Sequence, residues 1–181
     1  VPRFPATLER STPAAASAPM IRPQRPMQDA ARDTSRRSVP AGLGLDSEAV
    51  RARMVGRLRA EGVRCEPVLQ AFGAVPRHRF VDSALATQAY EDTSLPIGHG
   101  QTISKPSVVA RMLALLFDGA SARAAGHLGR VLEIGTGCGY QTALLALLAR
   151  HVLSIERLRP LHDKAREHLA DRRADHRIRL V

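Results

Sequence analysis

Two acids bracket a run of alternating glycines, and these are the residues with the clearest capacity for chemistry. Glu133 precedes Gly135-Thr136-Gly137-Cys138-Gly139, and Glu156 follows the apolar run Val152-Leu153-Ser154-Ile155. Alternate glycines let the backbone pass close beneath a ligand, because no Cβ intervenes and positive φ is open. A helix that starts just after them presents free N–H groups and a positive end to an anionic group. An acid at the end of the following strand is placed to accept hydrogen bonds from a ribose diol. A third candidate is the hydroxyl of Ser104 in Gly100-Gln101-Thr102-Ile103-Ser104-Lys105-Pro106. By residue type alone, Ser104 reads as a cap for a helix starting near Pro106 or Ser107.

The glycine spacing discriminates between ligands. The dinucleotide fingerprint is G-x-G-x-x-G, but here the third glycine arrives one residue early and Tyr140 stands where that fingerprint requires glycine. The pattern E-x-G-x-G-x-G, with a second acid after the next strand, resembles a class I S-adenosylmethionine (SAM) methyltransferase and disfavours a nicotinamide-dependent reductase. The cofactor-binding candidates on this resemblance are Glu133, Gly135, Thr136, Gly137, Gly139 and Glu156, with S-adenosylhomocysteine as the product form and no metal. Glu133 has two readings of equal standing: contact with the ligand, or bracing of the glycine loop by accepting backbone N–H bonds.

These positions require particular elements beneath them. Val131-Leu132-Glu133-Ile134 is an apolar strand pattern, and Thr142 to Leu148 is an apolar helical one. The spacing predicts a strand over 130–134, a helix over about 140–149 and a strand over 151–155. A second helix carries Pro160 in its first turn and runs to about Ala170, and a third strand begins in Arg177-Ile178-Arg179-Leu180-Val181. Upstream, Val50, Met54, Val55 and Leu58 form one helical face, with Asp46 or Ser47 as cap and Gly62 at the C-terminal cap position. Further helices are expected from Glu66 to Phe72, around Ser83 to Ala89, and from Ser107 to Phe117, where Val108, Val109, Met112, Leu115 and Leu116 are apolar. Residues 90–106 show no clear period, and a run of that length inside a compact domain is functional or disordered. Residues 118–129 read as a Gly/Ala linker.

The expected fold class is α/β: a Rossmann-like methyltransferase fold with a doubly wound, mostly parallel sheet, here truncated after about the third strand and preceded by an N-terminal helical subdomain. Three regions follow. Residues 1–45 form a disordered tail rich in Pro, Ala, Ser and Arg, holding seven of the twelve prolines, because Pro removes donors and fixes φ. Residues 46–129 form the helical region with the 90–106 loop, and 130–181 form the first part of the cofactor domain. A doubly wound sheet needs more strands to cover both faces, so the chain reads as the N-terminal part of a larger enzyme.

Composition bounds the partners. The 181 residues carry a net charge of +10, with 44% hydrophobic and 3% aromatic residues and no Trp. Arg supplies nearly all the cations, Lys occurring only at 105 and 164. The charge is dispersed and stacking groups are scarce, so nucleic-acid recognition is disfavoured. The two cysteines, Cys65 and Cys138, form no metal-ligating or C-x-x-C pattern. A reduced, cytoplasmic compartment is expected, although the tail also has an Arg- and Ser-rich transit-peptide character. No apolar run reaches the roughly 20 residues that span a bilayer, and a monomer without a membrane partner is expected.

Longer runs carry a more specific resemblance. Val75-Pro76-Arg77-His78-Arg79-Phe80-Val81, Ala89-Tyr90-Glu91-Asp92, Leu95-Pro96-Ile97-Gly98, Gly100 to Pro106 and Val109-Ala110-Arg111-Met112 together resemble the protein-L-isoaspartate O-methyltransferase family over roughly 48–181. The resemblance implies methylation of the free carboxylate of L-isoaspartyl (and D-aspartyl) residues in aged proteins, which starts repair through a succinimide. It implies that Ser104 is the active-site residue, with Thr102 and Ile103 shaping the loop, and that isoaspartyl-containing proteins and peptides are the partners. Family members continue with an acidic loop and four more strands. A carboxylate is already a nucleophile, so such a site needs positioning and water exclusion more than a strong base.

Other residues keep open readings. His99 reads as a solvated loop residue. Asp92 is a candidate partner for Arg77 or Arg79, Cys138 a buried inert thiol, and Lys105 either an attractor of acidic substrate or a solvent-facing cation. The competing functional readings are a SAM-dependent enzyme with another acceptor, and an inactive fragment acting as an interaction module.

Overall fold

The computed structural model describes residues 48–170 and 177–181. The expected tail over 1–45 and the cap at Asp46 or Ser47 lie outside the described residues.

Helix α1 (Glu48–Ala60) buries Met54 and Leu58 and half-buries Val50 and Val55, the face expected from their spacing. It ends on Gly62 at φ 98°, with Gly62 N–H bonded to Arg59 O and Val63 N–H to Leu58 O. This is the paired closure that a left-handed residue permits at a helix end. Helix α2 (Glu66–Ala74) starts with Pro67 in its first turn and buries Val68, Leu69, Ala71 and Phe72. Two 3-10 turns follow, Arg77–Phe80 and Ser83–Gln88, the second capped by Asp82, whose Oδ1 accepts from Ala84 N–H.

The segment expected to lack regular structure contains a hairpin, β1 (Leu95–Gly98) paired antiparallel with β2 (Gln101–Ile103). Its two-residue connection, His99-Gly100, has φ 53° and 70°, the positive pair that suits a right-twisted hairpin. Leu95, Ile97 and Ile103 point into the core. The strands are too short, and too broken by Pro96 and Gly98, to show a period of two. Helix α3 (Pro106–Phe117) opens on a proline, where the missing N–H costs nothing. It buries Val109, Ala110, Leu113 and Phe117, whereas Val108, Met112, Leu115 and Leu116 are exposed, so most of the apolar positions noted in the sequence lie outside. The expected linker over 118–129 holds a short helix, α4 (Ala120–Ala125), closed by Gly126 at φ 70°. Its alanines favour helix, and the flanking glycines had suggested a linker.

The remainder alternates strand and helix: β3 (Arg130–Ile134), α5 (Tyr140–Leu148), β4 (His151–Ile155), α6 (Arg159–His168) and β5 (Ile178–Leu180). The three strands are parallel in the order β3-β4-β5, with Arg130 opposite His151 and Ile134 opposite Ile155. Both crossovers step the same way across the sheet, and right-handed connections then place α5 and α6 on one face. That face is covered: Glu133, Val152 and Ser154 are buried. Leu132, Ile134, Leu153 and Ile155, on the other face, are exposed. The buried apolar residues of the helices, hairpin and sheet form one cluster. Among the described residues no helix is long and apolar enough to cross a membrane.

Candidate active site

The turn from β3 to α5 takes positive φ at each glycine: 88° at Gly135, 57° at Gly137 and 89° at Gly139. Each has its own local reason. A Cβ on Gly135 would meet nothing within 4 Å, one on Gly137 would come 3.3 Å from Ile97 Cδ1 of the hairpin, and one on Gly139 would come 3.0 Å from Leu169 Cδ1. Gly137 is therefore where the glycine loop and the hairpin touch, and Gly139 is where the loop packs on the end of α6. Tyr140, the first residue of α5, is buried with its ring edge-on to Phe72 and Phe80.

Beneath the loop lies a buried hydroxyl network. Glu133 Oε2 accepts from Thr142 Oγ1 at 2.5 Å and from Ser154 Oγ at 2.6 Å. Ser154 spends its single proton on Glu133, so Thr136 Oγ1, 2.6 Å away, donates to Ser154. Burial pushes the Glu133 carboxyl above the usual value, and the hydroxyls of Ser154 and Thr142 only partly oppose this. Glu133 Oε1 makes no hydrogen bond of standard geometry. Glu133 thus reaches the loop through side-chain hydroxyls, by way of Ser154 and Thr136, and not through the backbone N–H groups of one of its two readings. Thr136 turns its hydroxyl inward to the same network.

Glu156 braces the loop from above. Its Oε2 accepts from Gly137 N–H at 2.8 Å and its Oε1 from Leu158 N–H at 2.9 Å. Each carboxylate oxygen keeps a second lone pair for a further donor. The carbonyl of Ile155 accepts from the N–H groups of Gly135 and Thr136, and His168 Nδ1 donates to Cys138 O at 2.9 Å. The Cys138 thiol is buried and pushed up by that burial, as befits an inert packing residue.

Ser104 follows β2 and is exposed. It does not cap α3: the N-cap residue is Lys105, without a side-chain cap bond. The capping carboxylate comes from Asp92, whose Oδ1 and Oδ2 accept from Ser107 N–H and Oγ, both at 2.8 Å. Burial raises the Asp92 carboxyl, but the Ser107 bonds and the charge of Lys105, 3.6 Å away, outweigh it and hold the group below its ordinary value. Asp92 therefore pairs with α3 and Lys105, and it reaches the Arg77 guanidinium only through its charge. The acid that caps the helix comes from 15 residues upstream, which local capping patterns do not reveal. His99 is solvated at the hairpin tip.

A cleft of about 80 Å³ joins these parts. Thr102, Ile103 and Ser104 line it together with Gly135, Thr136 and Gly137 of the loop and with Tyr140. Glu133, Gly139 and Glu156 do not line it. Two grooves of about 620 and 480 Å³ lie elsewhere, but neither brings a candidate residue to another. Among the described residues, the small cleft is where candidates from the hairpin side and the glycine loop meet. Sequence reading missed Ser154 and Thr142, whose signal was a hydroxyl inside each apolar run. It also missed the role of Arg77, whose Nη2 donates to Ser104 O at 2.8 Å.

Comparison with known proteins bears on this geometry. Residues 49–181 match the family model described as protein-L-isoaspartate(D-aspartate) O-methyltransferase (PCMT). A protein-L-isoaspartate O-methyltransferase of Methylibium petroleiphilum is 64% identical over 171 residues, covering 93% of this chain and 62% of the relative. One of Leptothrix cholodnii is 65% identical over 161 residues, covering 88% and 55% respectively. The chain thus spans little more than half the length of these curated relatives. A solved protein-L-isoaspartate O-methyltransferase superposes with TM-score 0.57 at 27% identity, over 72% of this chain and 41% of its own. A Plasmodium falciparum structure assigned to the same class, in complex with S-adenosyl-L-homocysteine, superposes with TM-score 0.54 at 21% identity, over 71% and 61%. At that identity the last match speaks to the fold.

Proposed function

The chain belongs to the protein-L-isoaspartate(D-aspartate) O-methyltransferase family, and we propose that it carries the cofactor loop and the substrate-positioning hydroxyl of a SAM-dependent enzyme that methylates the free carboxylate of L-isoaspartyl and D-aspartyl residues in damaged proteins. The observation that carries this reading is the cleft in which Ser104, free of any capping duty, faces the glycine loop. The loop suits a bulky cofactor: a Cβ on Gly135 would stand in open space at φ 88°. In this reading Gly135, Thr136 and Gly137 hold the cofactor against the backbone, and Gly139 fixes the start of α5. Glu156 accepts from the ribose hydroxyls with its remaining lone pairs, and Glu133 acts by holding the loop.

When bound, SAM supplies a methyl group on an electrophilic sulfonium. The carboxylate acceptor needs no deprotonation at neutral pH, so the protein's contribution is alignment and exclusion of water. The Ser104 hydroxyl donates to one carboxylate oxygen and so leaves the other to point across the cleft. Thr102 and Ile103 set the path of the β2 end that carries Ser104, and the buried Ile103 adds an apolar wall to the cleft. Isoaspartyl proteins and peptides are the partners in this reading, and a cytoplasmic monomer is its simplest setting.

Transfer of a labelled methyl group from SAM to an isoaspartyl peptide, with the normal aspartyl peptide as control, tests the reading. The assay is run on this chain and on the same gene product extended to its natural end. Labelling of the isoaspartyl peptide alone is the expected result. An extended protein that binds SAM yet labels neither peptide would move the assignment to another methyl acceptor.

A further inference from the structure

Arg77 is completely buried, yet its guanidinium meets no carboxylate within ion-pair distance among the described residues. The 3-10 turn Arg77–Phe80 after Pro76 turns the side chain inward. Nε donates to Ala89 O and Nη2 to Ser104 O, both at 2.8 Å. The guanidinium carbon lies 4.8 Å from the centroid of the Tyr140 ring. Nη1 and the Tyr140 hydroxyl are both buried without a hydrogen bond of standard geometry, though each is close enough to influence the other's ionisation. A desolvated charge bonded to two carbonyls, set on a ring and compensated only at a distance by Asp92, is a costly arrangement for holding a core together.

Its three contacts share a pattern. Ala89 stands just before the segment that carries the hairpin, Ser104 stands at that segment's end, and Tyr140 is the first residue after the glycine loop. A planar fork fixes two acceptors at once in a way that an ammonium does not. We infer that Arg77 is a positioning residue: it clamps both ends of the 90–103 segment together and seats them on Tyr140, so that Ser104 is held at a fixed offset from the glycine loop. The inference deepens the methyltransfer reading above and rests on it for its consequence in catalysis, but the clamp itself is measurable without turnover.

The test is Arg77→Lys in the full gene product, which keeps the charge and loses the fork. Amide hydrogen exchange over 95–105 should rise about tenfold or more while the interior of α5, 143–148, is unchanged, because only the local opening is affected. The peptide kcat/KM should fall about a hundredfold for a displaced reacting group, SAM affinity should hold within about twofold, and Arg77→Lys should add little in a Ser104→Ala background. Unchanged exchange over 95–105, or an equal rise throughout the protein, would overturn the clamp. Should the variant fail to fold, the Arg77 Nε–H in the unaltered protein decides: slow exchange with solvent supports the clamp and free exchange refutes it. Absence of methyl transfer by the unaltered protein would defeat the functional reading while leaving the exchange result to judge Arg77.

Discussion

The two sides of the cleft are held in different ways. The glycine loop is braced by short bonds: the buried ones of Thr136 to Ser154 and of Ser154 and Thr142 to Glu133, and the half-buried one of Gly137 to Glu156. All of these join neighbouring strands and the helix between them. On the hairpin side Leu95, Ile97 and Ile103 pack into the core, and the polar ties are long-range ones at the segment's ends, Arg77 to Ala89 and Ser104 and Asp92 to Ser107, while Ser104 itself stays exposed. A cofactor surface that is the same in every turnover gains from rigidity fixed in the core. On the proposed reading, a surface that admits varied protein chains gains from an exposed hydroxyl just after a short hairpin, tied by polar bonds at its ends. If the difference is real, damage to the loop should register first in stability and cofactor binding, and damage to the hairpin first in peptide turnover.

The largest effect is expected from Gly139→Ala. Its φ of 89° and a Cβ 3.0 Å from Leu169 Cδ1 act together. The left-handed conformation costs about 1–2 kcal/mol and overpacking about 1–3 kcal/mol. Thermal unfolding should show a clearly lowered Tm, and an unchanged Tm would remove the loop's supposed tightness. Next comes Glu133→Ala, which takes the acceptor from the Thr142 and Ser154 donors at about 1–3 kcal/mol in all, because the hydroxyls can turn to one another. Glu133→Gln keeps an acceptor and separates packing from charge. The folded-state pKa of Glu133 is raised, so the folded protein binds more protons and stability falls as pH rises from the unfolded carboxyl value through the folded one. Denaturant titrations across that window should show the slope in the parent and its loss in Glu133→Gln; equal slopes would show that Glu133 does not titrate there.

Effects on the hairpin side are smaller in stability. Ser104→Ala should leave Tm unchanged and remove a hydrogen bond to a charged group, about 1.5–3 kcal/mol, or roughly 10–100-fold in peptide kcat/KM. Asp92→Ala should cost the α3 cap about 0.5–2 kcal/mol. The Asp92 carboxyl is held low in the folded state, so its contribution is present above the unfolded value and disappears as pH falls through the folded one. Acid unfolding of Asp92→Ala should therefore start from lower stability at neutral pH and lose less on the way down. Parallel curves for parent and variant would place the cap elsewhere.

The same contrast decides what was legible in the chain. The strands at 130–134 and 151–155 and the glycine turn could be read because their causes are adjacent in sequence: apolar runs, alternating glycines and the acids that flank them. The hairpin at 95–103 was hidden because its strands are short and its tip depends on His99 adopting positive φ. The cap of α3 and the tether of Ser104 come from partners 15 and 27 residues away, and no local pattern announces such partners. Ser104 became a candidate only through the longer motif it sits in, since by type alone it resembled the cap that Asp92 supplies. The apolar stripe noted on α3 was real but mostly faces out, because helix period shows which residues share a face and not which face meets the core. Leu132, Ile134, Leu153 and Ile155 make the same point for the sheet. Their alternation with buried neighbours was masked by apolar residues on both faces.

The most direct test of this division is to measure SAM affinity and isoaspartyl-peptide kinetics side by side for Ser104→Ala and Glu156→Gln in the full gene product. The account predicts that Ser104→Ala lowers peptide kcat/KM and leaves SAM affinity unchanged, whereas Glu156→Gln weakens SAM binding first. Equal loss of SAM affinity in both variants, or no loss of peptide turnover in Ser104→Ala, would contradict it.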